Sequence, residues 1–327
     1  MPDSTDFISG QHPRRFDKLR QGWKNARLSL RSWVDASAAK DPGAAPDSIA
    51  WLRVTPFLAL HAACLAVIWV GVSPTALLTA TALYVVRMFA VTAFYHRYFA
   101  HRSFLTSRAI QFAFAVIGAS SVQRGPLWWA AHHRNHHLHA DTVRDPHSPT
   151  LRGFFWSHTG WFLTPAGFQT DWKRIPDLAR YPELRWLDRF DIVAPVALAA
   201  ALFSLGSWLQ VYQPQLGTNG PQMLVWGFCI STVVLFHATF TINSLAHRFG
   251  ARRFATPDDS RNNIWLALLT FGEGWHNNHH FYPSAARLGF RWWEIDLTYY
   301  GLRLMALCGL VQSLKPVPAR VLLHPRH

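Results

Sequence analysis

An all-α integral-membrane fold is what this sequence predicts, and three observations predict it. Half of the residues are hydrophobic and only 15% are charged, against roughly 25% charged in an average soluble domain. Four apolar stretches, residues 54–72, 74–95, 192–212 and 222–242, each approach the ~20 residues that carry a helix across the hydrocarbon layer. The basic residues are unevenly placed: residues 213–221 hold no Lys or Arg, whereas the N-terminal segment, the long connection 97–191 and the C-terminal part are rich in both. Cytoplasmic segments carry the excess of Lys and Arg, so these three segments, and with them both termini, are predicted on the cytoplasmic side. The outcome is four transmembrane helices in two hairpins under a helical cytoplasmic cap.

Taken in order, residues 1–53 form a basic N-terminal segment. Arg14, Arg15, Lys18, Arg20, Lys24, Arg27 and Arg31 alternate with Phe16, Leu19, Trp23, Leu28, Leu30 and Trp33, a spacing that fits an amphipathic helix on a membrane surface; a disordered basic tail has the same composition. No apolar core of a cleavable signal precedes Asp47, and Asp41-Pro-Gly-Ala-Ala-Pro46 reads as a linker. The membrane domain with its cap spans residues 54–300, and a tail occupies 301–327. Gly71-Val-Ser-Pro74 closes the first hairpin and residues 213–221 the second. Two shorter apolar runs, 109–122 and 264–271, fall short of a span and are expected as helices against the cap or the interface. Arg87 lies inside the second stretch, about 13 Å along a helix from His96; it either faces the bundle or snorkels, with no partner named by the sequence.

Charge and cysteine usage narrow the function classes. The formal net charge of +14 points to anionic lipid headgroups or an acidic redox partner. Nucleic acid is not expected, since no groove-reading motif is present. Cys64, Cys229 and Cys308 stand singly, which predicts neither a disulfide framework nor a thiolate metal site.

Three histidine clusters carry the chemistry: His96-Arg-Tyr-Phe-Ala-His101, His133-Arg-Asn-His136-His137 and His276-Asn-Asn-His279-His280. On a helix, positions i, i+3 and i+4 share a face, so each HxxHH element aims three imidazoles to one side. The first pair would diverge by about 140° on an ideal α-helix, which puts at least one of the two beyond the helical end. A lone histidine is more often a hydrogen-bonded structural residue, and His12, His61, His324 and His327 are read so. Packing eight rings together has no such rationale, because each buried ring needs its own partner and a shared cation satisfies them all. Imidazole suits Zn, Cu, Fe and Ni, and a tetrahedral zinc is saturated by four ligands. Eight or nine ligands therefore imply two ions, and their place beside membrane spans suggests a lipid substrate.

These boxes, in this order around two hairpins, resemble the membrane fatty acyl desaturases of the stearoyl-CoA Δ9 family, in their bacterial form. The resemblance runs from about Pro56 to Trp293. Its further carriers are Asp141-Thr-Val-Arg-Asp-Pro-His147-Ser-Pro, Arg152-Gly-Phe-Phe-Trp-Ser-His-Thr-Gly-Trp161, Asn243-Ser-Leu-Ala-His247 and Gly272-Glu-Gly-Trp-His276. It implies a di-iron site with nine histidine ligands, His96, His101, His133, His136, His137, His247, His276, His279 and His280, with Asn243 approaching one Fe2+ ion through water. Asn243 and His247, four apart, are expected on one helical face. His132 is left outside the ligand set, and His139, His147 and His158 are read as supporting or structural. The implied reaction uses molecular oxygen to introduce a cis double bond into a long saturated acyl chain, with Gln123, Trp129 and Thr239 at the bend of the acyl tunnel. Headgroup-binding Arg and Lys of the animal acyl-CoA enzymes are replaced by small or apolar residues near Ala131 and in Leu163-Thr-Pro-Ala-Gly167. The carrier is thus left open among acyl-CoA, acyl carrier protein and intact lipid. No heme-domain, flavin, dinucleotide or iron–sulfur signature is present, so a separate electron donor such as ferredoxin, cytochrome b5 or a reductase is expected, at a bacterial inner membrane. Two rival readings stand beside this one: a hydroxylase or ketolase with the same kind of site, which would leave oxygen in its product, and a divalent-metal transporter, which would place its ligands at the bilayer midplane.

Overall fold

The computed structural model describes residues 22–23, 26–38 and 47–323. It is mostly helical, with one two-stranded sheet, Leu105–Thr106 antiparallel to Val311–Gln312. Four helices are long and apolar enough to cross a membrane: Trp51–Val70, Pro74–Ala100, Val193–Tyr212 and Gly220–Ser244. They fall on the four predicted stretches. The second runs five residues past its apolar limit because Arg97, which interrupts the hydropathy, is paired inside the protein. Its guanidinium meets Asp296 at 2.9 Å and Glu273 at 3.0 Å.

The first hairpin is closed by capping and by polar contacts to the fourth span. Ser73 Oγ accepts from Ala76 N at 3.1 Å and donates to Gln222 Oε1 at 2.6 Å, while Gln222 Nε2 donates to Val70 O at 3.0 Å. Gly71, at φ +66°, reverses the chain where a residue with a Cβ would be strained. Arg87 turns into the bundle rather than snorkelling. It donates to Ser231 Oγ at 2.5 Å, Thr232 Oγ1 at 2.7 Å, Ser120 O at 3.2 Å and Leu83 O at 3.1 Å, so neutral oxygens on three segments share one buried cation.

The connection between the second and third spans and the segment after the fourth gather at the ends of spans two and four. Both short apolar runs are helical, as Arg108–Ala119 and Ile264–Leu269. Ala93, Phe94, Tyr95 and Phe99 of the second span form one buried cluster with Ala115 and Ala119, with Leu127 and Ala130, and with Leu184 and Leu187. This core sets the helix Pro126–His139, which carries the second box, against the end of the span that carries the first. The predicted surface helix lies largely outside the described residues, as do the linker 41–46, His12, His324 and His327. Further on, Asp35 pairs with Arg189 at 2.8 Å and Trp33 Nε1 donates to Leu52 O at 3.0 Å, tying residues 33–35 to the membrane domain.

Candidate metal centre

The first histidine pair is brought together by an unusual winding. From Ala90 to Ala100 the second span is a π-helix, with hydrogen bonds from i to i+5, and His101 N continues the pattern by donating to His96 O at 3.2 Å. Residues five apart, which diverge on an α-helix, now lie one above the other, and the two ring centroids are 4.9 Å apart. His101 is the first residue beyond the helix.

The other boxes are held by the residues between their histidines. Arg134 donates to Phe99 O at 2.7 Å and Ala100 O at 3.0 Å, capping the last carbonyls of the second span, and pairs with Asp177 at 2.7 Å. In the third box, on the helix His276–Phe281, Asn277 Oδ1 accepts from the backbone N–H of Arg253 and Phe254 at 2.8 and 2.7 Å, and Asn278 Nδ2 donates to Glu294 at 2.9 Å. Just upstream, Gly272 (φ +120°) and Gly274 pass so close to neighbours that an added Cβ would stand 2.5 Å from Asp296 Oδ1 and 2.1 Å from Ala267 N. The Gly-Glu-Gly run thus lets Glu273 enter the interior beside Arg97.

Nine imidazoles converge in two groups. His96, His101, His133, His137 and His279 form one, and His136, His247, His276 and His280 the other; within each, one ligating atom per residue lies within 4.8 Å of all the rest. Facing Nε2 atoms are 2.9 Å apart for His96 and His279, 2.7 Å for His101 and His133, 2.8 Å for His137 and His279, 3.0 Å for His247 and His276, and 3.3 Å for His136 and His280. Two imidazole nitrogens bound at right angles to one ion, each about 2.1 Å from it, stand about 3.0 Å apart. The donor spacing therefore fits ligands shared by one ion in each group.

Four of the opposite ring nitrogens face carboxylates. His136 Nδ1 lies 3.1 Å from Asp145, His247 Nδ1 2.8 Å from Asp141 and His280 Nδ1 3.0 Å from Asp258, and His96 Nδ1 pairs with Glu273. A carboxylate on Nδ1 fixes the tautomer and leaves Nε2 free to ligate. Burial, reinforced by neighbouring imidazoles, holds His101, His133, His137, His276, His279 and His280 well below the usual histidine range, so these rings are neutral and ready to bind a cation. At His136 burial also pushes downward, but Asp145, with Asp141 and Asp258 behind it, outweighs it and raises the ring.

The remaining sequence-predicted residues gather beside the first group. Gln123 Nε2 donates to Thr239 Oγ1 at 2.9 Å, and the Trp129 ring stacks on His133 with centroids 5.0 Å apart. All three line a cavity of about 250 Å³, together with Asn243. A smaller cavity of about 60 Å³ is shared by Trp129, Thr239, Asn243, His96, His133, His136 and His276, so the space reaches both histidine groups. Val122 and Arg124 flank Gln123 at φ +61° and +69°, a rare conformation for such side chains that is sustained mainly where surrounding structure enforces it.

One expectation is corrected. The helix ends at Ser244, where the N–H groups of Leu245 and Ala246 both turn onto Thr241 O at 2.7 and 3.2 Å, so His247 stands in the following turn and not on the helical face of Asn243. His132 points to Gln169 O at 3.0 Å, His139 lies 3.4 Å from Arg174, and the His147 ring is tilted against that of His136 with centroids 4.4 Å apart. His158 and His61 both bond to His237, at 2.9 and 3.1 Å. The sequence reading missed roles for Asp141, Asp145, Asp258 and Glu273. Asp141 and Asp145 follow His137 by four and eight residues and Glu273 precedes His276 by three, which was a usable signal, since metal-binding histidines commonly need such partners.

Four membrane-length helices, the second and fourth leading into a double cluster of converging imidazoles, define a membrane protein with a site able to hold metal. The profile of the fatty acid desaturase family matches residues 68–307. The chain is 37% identical over 235 residues to an sn-2 palmitoyl-lipid 9-desaturase of Nostoc sp. (strain 36), covering 70% of this chain and 78% of that one. It is 37% identical over 270 residues to an sn-1 stearoyl-lipid 9-desaturase of Anabaena variabilis, covering 82% and 94%. An acyl-CoA 5-desaturase of Anemone leveillei is 36% identical over 265 residues, covering 80% and 78%. The chain belongs to the fatty acid desaturase family and is an oxidoreductase.

Proposed function

We propose that this chain is an oxygen-dependent desaturase that places a cis double bond between C9 and C10 of a palmitoyl- or stearoyl-length chain. The supporting observation is the junction of an apolar cavity with two clusters of converging Nε2 atoms. His96, His101, His133, His137 and His279 would hold one iron and His136, His247, His276 and His280 the other, with Asn243 reaching one of the two through water. Bound iron supplies the power to activate oxygen against an unactivated methylene, which side chains lack. In balance, a –CH2–CH2– unit, O2, two electrons and two protons give –CH=CH– and two waters. The electrons come from a separate donor such as ferredoxin, cytochrome b5 or a reductase.

The chain's own residues do the positioning. Gln123 and Thr239, joined across the cavity, and Trp129, stacked on His133, fix where the acyl chain bends, so distance from the carrier and not intrinsic reactivity selects the carbons. Asp141, Asp145, Asp258 and Glu273 hold the imidazoles in one tautomer. Residues 54–300 form the catalytic unit, with residues 1–53 and 301–327 flanking it, in a bacterial inner membrane with the histidines and both termini cytoplasmic. The names of the relatives include 9- and 5-desaturases and lipid and acyl-CoA carriers; the 9-position is favoured here by the resemblance at Gln123, Trp129 and Thr239. Acyl chains from cells expressing the protein with a donor system test the reading by mass spectrometry. A cis alkene at C9 is expected, and a hydroxyl-bearing product in its place refutes desaturation.

A further inference from the structure

Two guanidiniums sit at one end of the larger cavity, and the desaturase reading gives neither a task. Arg53, Arg124 and Asp191 line the cavity together with Ser32, Trp33 and Phe168. Arg124 is engaged: its Nε meets Asp191 at 2.8 Å and its Nη2 donates to Phe168 O at 3.4 Å. Arg53 is not. Its guanidinium carbon lies over the Phe168 ring, 3.8 Å from the centroid, and its buried Nη2 has no hydrogen-bond partner among the described residues. A buried donor without a partner is costly, and a guanidinium offers five N–H groups in a fork suited to phosphate or carboxylate. Among the described residues that line this end of the cavity, the single carboxylate of Asp191 stands against two guanidiniums.

Its depth indicates where the partner comes from. Arg53 is the third residue of the first span, and Asp191 and Ile192 immediately precede the third; at about 1.5 Å of rise per residue, this end lies at the level where spans enter the headgroup layer. Trp51, beside Arg53, is 67% exposed, as expected of an aromatic at the interface. Ser32 and Trp33 line the cavity here, in a segment held by Asp35–Arg189 and by Trp33 Nε1 on Leu52 O.

We propose that Arg53, supported by Arg124, is the binding site for a phosphate ester on the acyl donor, presented at headgroup depth while the acyl chain runs inward past Gln123 and Trp129 toward the histidines. This rests on the desaturase reading for the identity of the ligand as an acyl donor. The phosphate can belong to a membrane phospholipid or to a phosphorylated thioester carrier, and the test separates them.

Full-length, metal-loaded protein in neutral detergent is titrated with 1-palmitoyl-lysophosphatidylglycerol, palmitoyl-CoA and phosphate-free monopalmitoylglycerol, read by quenching of the cavity tryptophans. R53Q should weaken binding of the phosphate-bearing ligands relative to monopalmitoylglycerol by roughly tenfold to a hundredfold, the usual effect of one charge-assisted hydrogen-bonding site, and R53K should restore part of it. A purely structural role would weaken all three alike, and that result, or no loss, overturns the proposal. Should R53Q not fold, the wild-type protein still decides. Raising ionic strength from about 0.01 M to about 1 M cuts the screening length from roughly 30 Å to roughly 3 Å, and the preference for phosphate must shrink; a salt-independent ratio overturns the site. Tighter binding of the lysophospholipid assigns the phosphate to a membrane lipid, and tighter binding of palmitoyl-CoA assigns it to the thioester carrier. Because the readout needs no turnover, protein that binds with this preference yet forms no double bond sinks the desaturase reading alone, while desaturation without a phosphate preference sinks the site alone.

Discussion

His133 joins the first histidine group to the cavity wall in one side chain, with Nε2 2.7 Å from that of His101 and its ring stacked on Trp129. Most ligand candidates were legible because clusters such as HxxHH have no packing rationale. The carboxylates behind them were less legible, since an aspartate in a polar loop looks like any other until it is seen buried, as Asp145 is, between His136 and His147. Two predictions belong at this scale. His137→Ala or His279→Ala should abolish double-bond formation while circular dichroism reports unchanged helix content, because the four spans do not depend on the metal; turnover at the wild-type rate would remove that residue from the ligand set. Asp145→Asn keeps the shape but loses the charge that fixes His136, and metal retention against a chelator should fall by about tenfold to a hundredfold. An unchanged retention curve would show that Asp145 serves the fold alone.

At the scale of elements, the four spans could be read from hydropathy alone, whereas the π-helical turn at Ala90–Ala100 could not. Nothing in Ala90-Val-Thr-Ala-Phe-Tyr announces it, and five-residue spacing in an α-helix argues for divergence. Tertiary demand decides the winding: Arg97 must reach Asp296 and Glu273 while His96 and His101 face His279. The end of the fourth helix was also misjudged, because Leu245 and Ala246 share one acceptor and turn the chain before His247. Burial of six rings as neutral imidazoles has a consequence for the metal-free protein. Their folded values lie below the ordinary histidine value of about 6.5, so on acidification the unfolded chain takes up protons first and stability falls as pH drops through and below that value. His136, raised by Asp145, opposes this with a single group. Thermal unfolding of chelator-treated protein should therefore shift to lower temperature between neutral and mildly acidic pH, and an upward shift would contradict the burial of these rings in neutral form.

For the whole molecule, the four membrane-length helices and the histidine clusters were legible in the sequence, but not that the cavity ends beside Arg53 and Arg124, which are 71 positions apart in the chain. Such a space is a property of the assembled spans. In the proposed desaturation the acyl chain lies in this space and distance selects the carbons, so a shift on the order of 1 Å is enough to lose about a hundredfold in rate. Thr239→Trp, which fills the cavity opposite Gln123, should depress desaturation of long chains more than of short ones; equal loss on both would show that the chain does not pass Thr239. The central claim is that nine histidines hold two ions, one with five of them and one with four. Metal analysis of protein purified from iron-fed cells tests it most directly. Zinc outranks ferrous iron in affinity, so the total number of ions is the quantity to count. The account predicts two per chain, falling toward one in His247→Ala, which breaks only the group of four; one ion per wild-type chain would contradict it.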